Sequence, residues 1–256
     1  MKKFAALLEY DGTCYHGWQL QSGAPTIQEA LESVLERILG KATRVHGAGR
    51  TDAGVHATGQ VAHFVADWQH TEQDLQRACN ALLPVDITVM GVRSAAADFH
   101  ARHSARSKTY AYRILNRPLR SSLMRAYSWH VPRPLDPTAM EKAAQALVGT
   151  HDFAAFGAPT DGAPSTVRKV LEVCWQRDEG SDILRFTIRG SGFLRRMVRS
   201  IVGTLVPVGL GKMDPEEFLS ILDSRDRSRA GATAPPYGLC LEWVEYQDML
   251  FHKGDT

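Results

Sequence analysis

Two successive rounds of strand-like and helix-like segments constrain this chain most. "KKFAALLEYDG" reads as a strand, and "TIQEALESVLERILGK" follows as an amphipathic helix. Its apolar face holds Ile27, Leu31, Val34, Leu35, Ile38 and Leu39 at helical spacing. Thr26 and Glu29 form a capping-box pattern, and Gly40 supplies a stop. A strand, "QVAHFVAD", comes next, then helix "EQDLQRACNALL" between Thr71 and Pro84, then strand "DITVMGVRSA". That is β-α-β-α-β, enough for one small domain.

A second round opens with strand "KTYAYRIL", followed by helix "PTAMEKAAQALVG" and strands near "TVRKVLEVCWQRD" and "DILRFTIRG". A helix is predicted from about Leu194, with Leu194, Val198, Ile201, Val202 and Leu205 on its apolar face. Another starts at Pro215, with Asp214 as cap and Glu217 at N3, and "GLCLEWVEY" closes as a strand. Loops near residues 12–25, 46–60, 98–107 and 155–165 carry glycine, proline and basic residues, where functional groups tend to sit.

The 256 residues, 44% of them hydrophobic, suffice for one large domain or two small ones. No apolar run reaches membrane-span length. The start "MKKFAALLEYDG" is cut by Glu9 and Asp11, so a cytoplasmic protein is expected. Cys14, Cys79, Cys174 and Cys240 are scattered and form no CxxC pair.

Net charge is only +2, but the charges are unevenly spread. Phe99 to Leu135 holds no acid, yet carries Arg102, Arg106, Lys108, Arg113, Arg117, Arg120, Arg125 and Arg133. Ile183 to Met213 is again free of acids, with Arg185, Arg189, Arg195, Arg196, Arg199 and Lys212. One such cluster is an ordinary solvated face. Two point to a polyanion, and to nucleic acid first. Arg102, Arg106, Lys108, Arg195 and Arg196 are the candidate RNA contacts.

"HGAGRTDAGVHATGQVAHF" sets Asp52 among glycines, beside Arg50 and ahead of a strand. Such an acid either makes an Asx-turn or does chemistry. His46, His56 and His63 with Asp52 raise a metal reading, but the spacing fits no standard ligand motif. His63 alternates with Val61 and Val65, as a core or cleft histidine would. Arg195 and Arg199 lie at a helix start, four apart, so they share a face. Tyr110 and Tyr112 share a strand face, as base-stacking residues or as ordinary strand tyrosines. No phosphate-binding glycine loop is present, so no nucleotide cofactor is implied.

"YDGTCYHGWQLQ", "GAGRTDAGVHATGQVAHF", "FHARHSARSKTYAYRI", "GTHDFAAF", "GFLRRMVRSIVGTLVPVG" and "GLCLEW" occur in that order. From about Phe4 to Tyr246 the chain resembles the TruA family of tRNA pseudouridine synthases. The resemblance implies an isomerase acting on uridines 38, 39 and 40 of the tRNA anticodon arm. It implies a homodimer with neither cofactor nor metal. Asp52 is then the catalytic aspartate, Tyr110 stacks on the target uracil, and Arg199 is the ion-pair partner of the aspartate. Arg50 helps to flip the base. His103 and Lys108 depart from the pattern, which has an aromatic residue and an arginine there.

The fold expected is α/β (α+β), with two similar halves in one extended, mainly antiparallel mixed sheet flanked by helices. The domains expected are 1–105, carrying the aspartate loop, and 106–256, carrying Tyr110 and the basic helix. A basic cleft between the halves would hold Asp52. Two other functions remain open: a noncatalytic RNA-binding protein, and a metal-dependent hydrolase using Asp52, His56 and His63.

Overall fold

The computed structural model describes residues 1–159, 165–248, 250–252 and 254. The expected loop at 155–165 therefore lies partly outside the described residues. Among these there are ten strands and five α-helices. All ten strands belong to one mixed, mainly antiparallel sheet, as the sequence leads one to expect. The chain clusters into two compact units, Met1–Lys108 with Leu241–Thr256, and Thr109–Cys240.

In the first unit the strands are β1 (Lys2–Tyr10), β2 (His46–Gly47), β3 (His56–Ala66), β4 (Ile87–Ala95) and, from Leu241, the C-terminal strand Leu239–Tyr246. β1 lies between β3 and β4, antiparallel to both. Phe4 to Leu8 are all buried, so β1 is covered on both faces and reads as a nearly unbroken apolar run. Helices α1 (Ile27–Leu39) and α2 (Glu72–Asn80) cover one face. There Leu31, Leu35 and Cys79 pack toward Ala6, Leu8, Ala62 and Phe64. Phe4 opposes Phe64 in register, and their rings stack at 5.9 Å.

At α1 the N-cap and the glycine stop follow the sequence, but of the expected capping box only the Thr26 half forms. The Thr26 hydroxyl accepts from the Glu29 N–H at 3.3 Å, and Gly40 takes the left-handed position. The full reciprocal capping box forms at α2, between Thr71 and Asp74. The bonds from Thr71 and Arg77 hold the Asp74 carboxyl down at about 2. β4 carries a bulge at Met90, where the register moves from Leu7↔Gly91 to Leu8↔Val89. α2 satisfies the strand there. The Asn80 amide takes both backbone groups of Val89 at 2.8 and 2.9 Å, and Gln76 donates to the Met90 carbonyl at 2.8 Å.

The second unit holds β5 (Ala105–Leu115, from Thr109), β6 (Trp129–His130), β7 (Gly149–Asp152), β8 (Val167–Arg177) and β9 (Ile183–Gly190). Their order is β5-β9-β8-β7, with β6 parallel to β5. β7 pairs only with Val167–Val170, which leaves the far end of β8 as an edge. Helix α3 (Pro137–Gln145) closes it: Glu141 accepts the Trp175 N–H at 2.7 Å. Helix α4 (Met197–Gly209) is buried on nearly every side, not on one face.

Two local expectations need correction. α4 begins at Met197 and not at Leu194, because Arg196 sits in a left-handed conformation (φ 62°) and Arg195 bridges Ala158 in an extended segment. Helix α5 (Pro215–Ser224) has no side-chain cap from Asp214. The Asp214 carbonyl instead accepts from the Glu217 and Phe218 N–H groups.

Candidate active site

Asp52 stands in the loop that joins β2 to β3. The two strands pair at His46↔His63 and Gly47↔Ala62, and the Ala48 N–H continues the ladder to the Val61 carbonyl at 2.7 Å. Residues 49–55 then leave the sheet. The Asp52 carbonyl accepts from the Val55 N–H at 3.1 Å, closing a four-residue turn with Gly54 at φ 75°. A positive φ at that position is what a glycine supplies without strain. So the aspartate does open a turn, but it does so with its carbonyl. The residue as a whole is half-buried.

The segment before α1 wraps this turn. Trp18 donates its N–H to the Thr51 carbonyl at 3.1 Å, and the Gly54 N–H reaches the Tyr15 carbonyl at 3.2 Å. Gly17 (φ 89°) permits that approach, since a Cβ there would lie 2.4 Å from the Thr51 oxygen. Tyr15 is anchored in turn by Asp86, at 2.6 Å, and burial with that carboxylate raises its phenol well above the ordinary range.

From within the sheet, buried Gln60 donates to the Gly49 carbonyl at 2.7 Å and accepts the Gly49 N–H at 3.3 Å. The Tyr10 hydroxyl pairs with the Thr51 hydroxyl at 2.9 Å. The residues on both sides of Arg50 are thus fixed, while Arg50 itself is exposed. Sequence reading missed Gln60 and Tyr10. The sequence carries little signal for either, since Gln60 shares its strand with His56, Thr58 and His63.

The histidines divide. His56 Nδ1 accepts the Gly12 N–H at 3.1 Å, and Asp11 lies 3.2 Å from the same nitrogen. His63 Nδ1 accepts the Ala101 N–H at 3.1 Å. The His63 ring stacks on His46 at 5.0 Å and meets His100 at 4.5 Å, and His100 meets His103 at 4.3 Å. His63 is thus a core histidine, and its lone pair is used by the fold. Among the described residues no three His, Cys, Asp or Glu side chains are grouped to hold a metal.

Burial, then the charges of His100, His46 and Lys3, push His63 down to about 4. His100 is lowered by burial, then by His103 and His46. The unfolded chain therefore binds more protons below the ordinary histidine value of 6.5. Stability is expected to be full above that pH and to fall from there toward pH 4, by about 3 kcal/mol for His63. Urea midpoints at pH 7 and pH 5 check this. The difference should shrink in His63→Gln, and an unchanged difference would show that other groups carry it.

The basic candidates fall in different places. Arg102 and Arg106 are exposed around the start of β5. Lys108 is only 9% exposed, and burial with the Arg102 charge lowers its ammonium to about 8. It is therefore not a surface cation like its neighbours.

In the second unit Tyr110 is 7% exposed and meets the Phe193 ring edge-on at 5.1 Å. Tyr112 is fully buried, and its hydroxyl donates to the Pro235 carbonyl at 2.8 Å, so it belongs to the core. Arg199 lies in the first turn of α4, half-buried, with Nε donating to the Ala234 carbonyl at 2.8 Å. The Ala234 N–H returns to the Arg199 carbonyl at 3.0 Å. Arg195 and Arg196 are exposed ahead of the helix, so Arg195 and Arg199 do not form the helical pair their spacing implies.

A family model described as tRNA pseudouridine synthase matches residues 6–104 and 143–247. The chain is 45% identical over 246 residues to tRNA pseudouridine synthase A of Thermoanaerobacter sp. (strain X514), covering 96% of this chain and 100% of that one. It is 43% identical to tRNA pseudouridine synthase A of Acetivibrio thermocellus, at the same coverage. The protein of that name from Myxococcus xanthus is 45% identical over 248 residues, 97% of this chain and 93% of the relative. Matched by the family model in both units and by these relatives along almost their whole length, the chain belongs to the TruA family of tRNA pseudouridine synthases, which are isomerases.

Proposed function

We propose that the chain isomerises uridine to pseudouridine at positions 38, 39 and 40 of the tRNA anticodon stem-loop, as a cytoplasmic homodimer. The observation that carries this is a carboxylate at the head of a tight turn, in a hairpin loop fixed by buried hydrogen bonds on both sides. No helix among the described residues is long and apolar enough to cross a membrane.

The reaction breaks the N1–C1′ bond, turns the uracil and joins C5 to C1′. C5 gives up its proton and N1 gains one, so the step is redox neutral. A carboxylate beside the ribose can serve as nucleophile or as base. A stacked nucleotide is out of reach, so it must first be extruded, at about a few kcal/mol. Asp52 takes the chemical role in this reading. Tyr110 covers the extruded uracil, Arg50 keeps the stem open, and Arg199 balances the charge of the aspartate. Exposed Arg102, Arg106, Arg195 and Arg196 hold phosphates. Lys108 joins them where an arriving phosphate offsets the burial of its charge.

The site assignment is tested with tRNAs carrying a single uridine at 38, 39 or 40. Pseudouridine, read as carbodiimide-dependent stops of reverse transcription, is expected at each and nowhere else in the arm. Product only at other positions would overturn it.

A further inference from the structure

We infer that Gln60 and Tyr10 are positioning residues for the aspartate loop, acting through the backbone of Gly49 and the side chain of Thr51. The inference rests on the reading of Asp52 as the chemical group.

Gln60 is fully buried, as is nearly all of Tyr10. Both point to the helix-covered face of the sheet. Gln60 opposes Leu8 in register and alternates with Ala62 and Phe64, while Tyr10 continues the row of Phe4, Ala6 and Leu8. An apolar side chain would fill the Gln60 position without burying an amide, and burial of an amide is unfavourable unless it is bonded. The fold of β3 therefore gives no reason for a glutamine here.

The bonds themselves give one. The Gln60 amide takes both backbone groups of Gly49, as a neighbouring strand would, where no strand pairs with that residue. Its nitrogen also reaches the Tyr10 hydroxyl at 3.4 Å, and that hydroxyl holds Thr51. Thr51 precedes Asp52 directly, and its carbonyl is tied to Trp18. A connected chain of polar groups thus runs from the sheet to the residue before the carboxylate. Connected, fully bonded networks of this kind hold one geometry and resist drift. Reacting groups displaced by about 1 Å lose roughly a hundredfold in rate, so the network is expected to act on the chemical step and leave RNA affinity alone.

The test uses the full chain and unmodified tRNA. Gln60→Met keeps the volume and removes the amide; Tyr10→Phe removes one hydroxyl and is the variant surest to fold. Single-turnover rate at saturating tRNA and filter-binding affinity are measured on melting-checked protein, with Asp52→Asn alongside. A fall of about tenfold to a hundredfold for Gln60→Met is expected, with a smaller fall for Tyr10→Phe and affinity within about twofold for both. The double variant should be no slower than Gln60→Met alone, because both act on one loop. If Asp52→Asn is inactive while the two folded variants keep wild-type rates, the positioning role is wrong. Equal loss of affinity and rate would also overturn it, since that marks a binding or folding defect. If Asp52→Asn keeps its rate, the reading beneath the proposal fails, and the proposal with it.

Discussion

Asp52→Asn is expected to abolish isomerisation, by at least about three orders of magnitude or roughly 4 kcal/mol of barrier, while tRNA binding stays close to wild type. Asparagine is nearly isosteric with aspartate. The turn at this position is closed by the residue's own carbonyl and by Gly54, so the substitution leaves it intact. Gln60, Tyr10 and Trp18 hold the flanking residues through Gly49 and Thr51, and none of those bonds uses the Asp52 side chain. What is lost is an anion that can attack carbon or accept a proton. The exposed arginines at 102, 106, 195 and 196 lie outside the loop, so phosphate contacts persist. Single-turnover pseudouridine yield and filter-binding affinity on one melting-checked preparation are the measurements. A rate within about tenfold of wild type would remove Asp52 from the chemistry.

Tyr110→Ala is expected to lower the rate by about fivefold to 160-fold, the range that corresponds to base–aromatic stacking of about 1–3 kcal/mol. Tyr110→Phe should be much milder, because the ring face is kept. The tyrosine is buried beside Phe193, which meets it edge-on, so alanine also leaves a void. Truncations of this kind destabilise by about 3–5 kcal/mol. Rates must therefore be compared well below the variant's melting temperature. A Phe variant as slow as the Ala variant would assign the hydroxyl a chemical task, with removal of the C5 proton as the candidate.

What could be read from the sequence follows a physical division. Local rules delivered most of α1: Thr26 caps it, Gly40 ends it, and Ile27, Leu31, Val34 and Leu35 of the expected face are buried, while Ile38 and Leu39 at its end are only half-buried. They failed where a nonlocal contact decides. The hairpin strand begins at His56 and not at Gln60, because Ala57 pairs with Tyr10 across the sheet. Its first residues carry little β-branched character to announce this. The α4 start was misplaced because one left-handed residue, Arg196, breaks a pattern that is helical by composition. Tyr110 and Tyr112 look alike in the sequence, yet one meets Phe193 and the other ends on the Pro235 carbonyl.

The aspartate loop shows the same division. Its glycines and lone acid mark a candidate site in the sequence. That Gly49 folds back on Gln60, and Thr51 on Tyr10, depends on the register of β1 against β3, and no spacing within one segment encodes it. Lys108 looked like one more surface cation in an acid-free stretch. The structure buries it, and burial with the Arg102 charge lowers its ammonium to about 8.

Release of tritium from tRNA made with 5-tritiated uridine decides most directly whether this chain isomerises uridine. Forming the C5–C1′ bond must expel the C5 hydrogen to solvent, whichever atom the carboxylate engages first. The wild-type chain is expected to release tritium from uridines at 38, 39 and 40 and to leave those elsewhere in the arm labelled. A folded chain that binds this tRNA and releases no tritium would be an RNA-binding protein without the proposed chemistry.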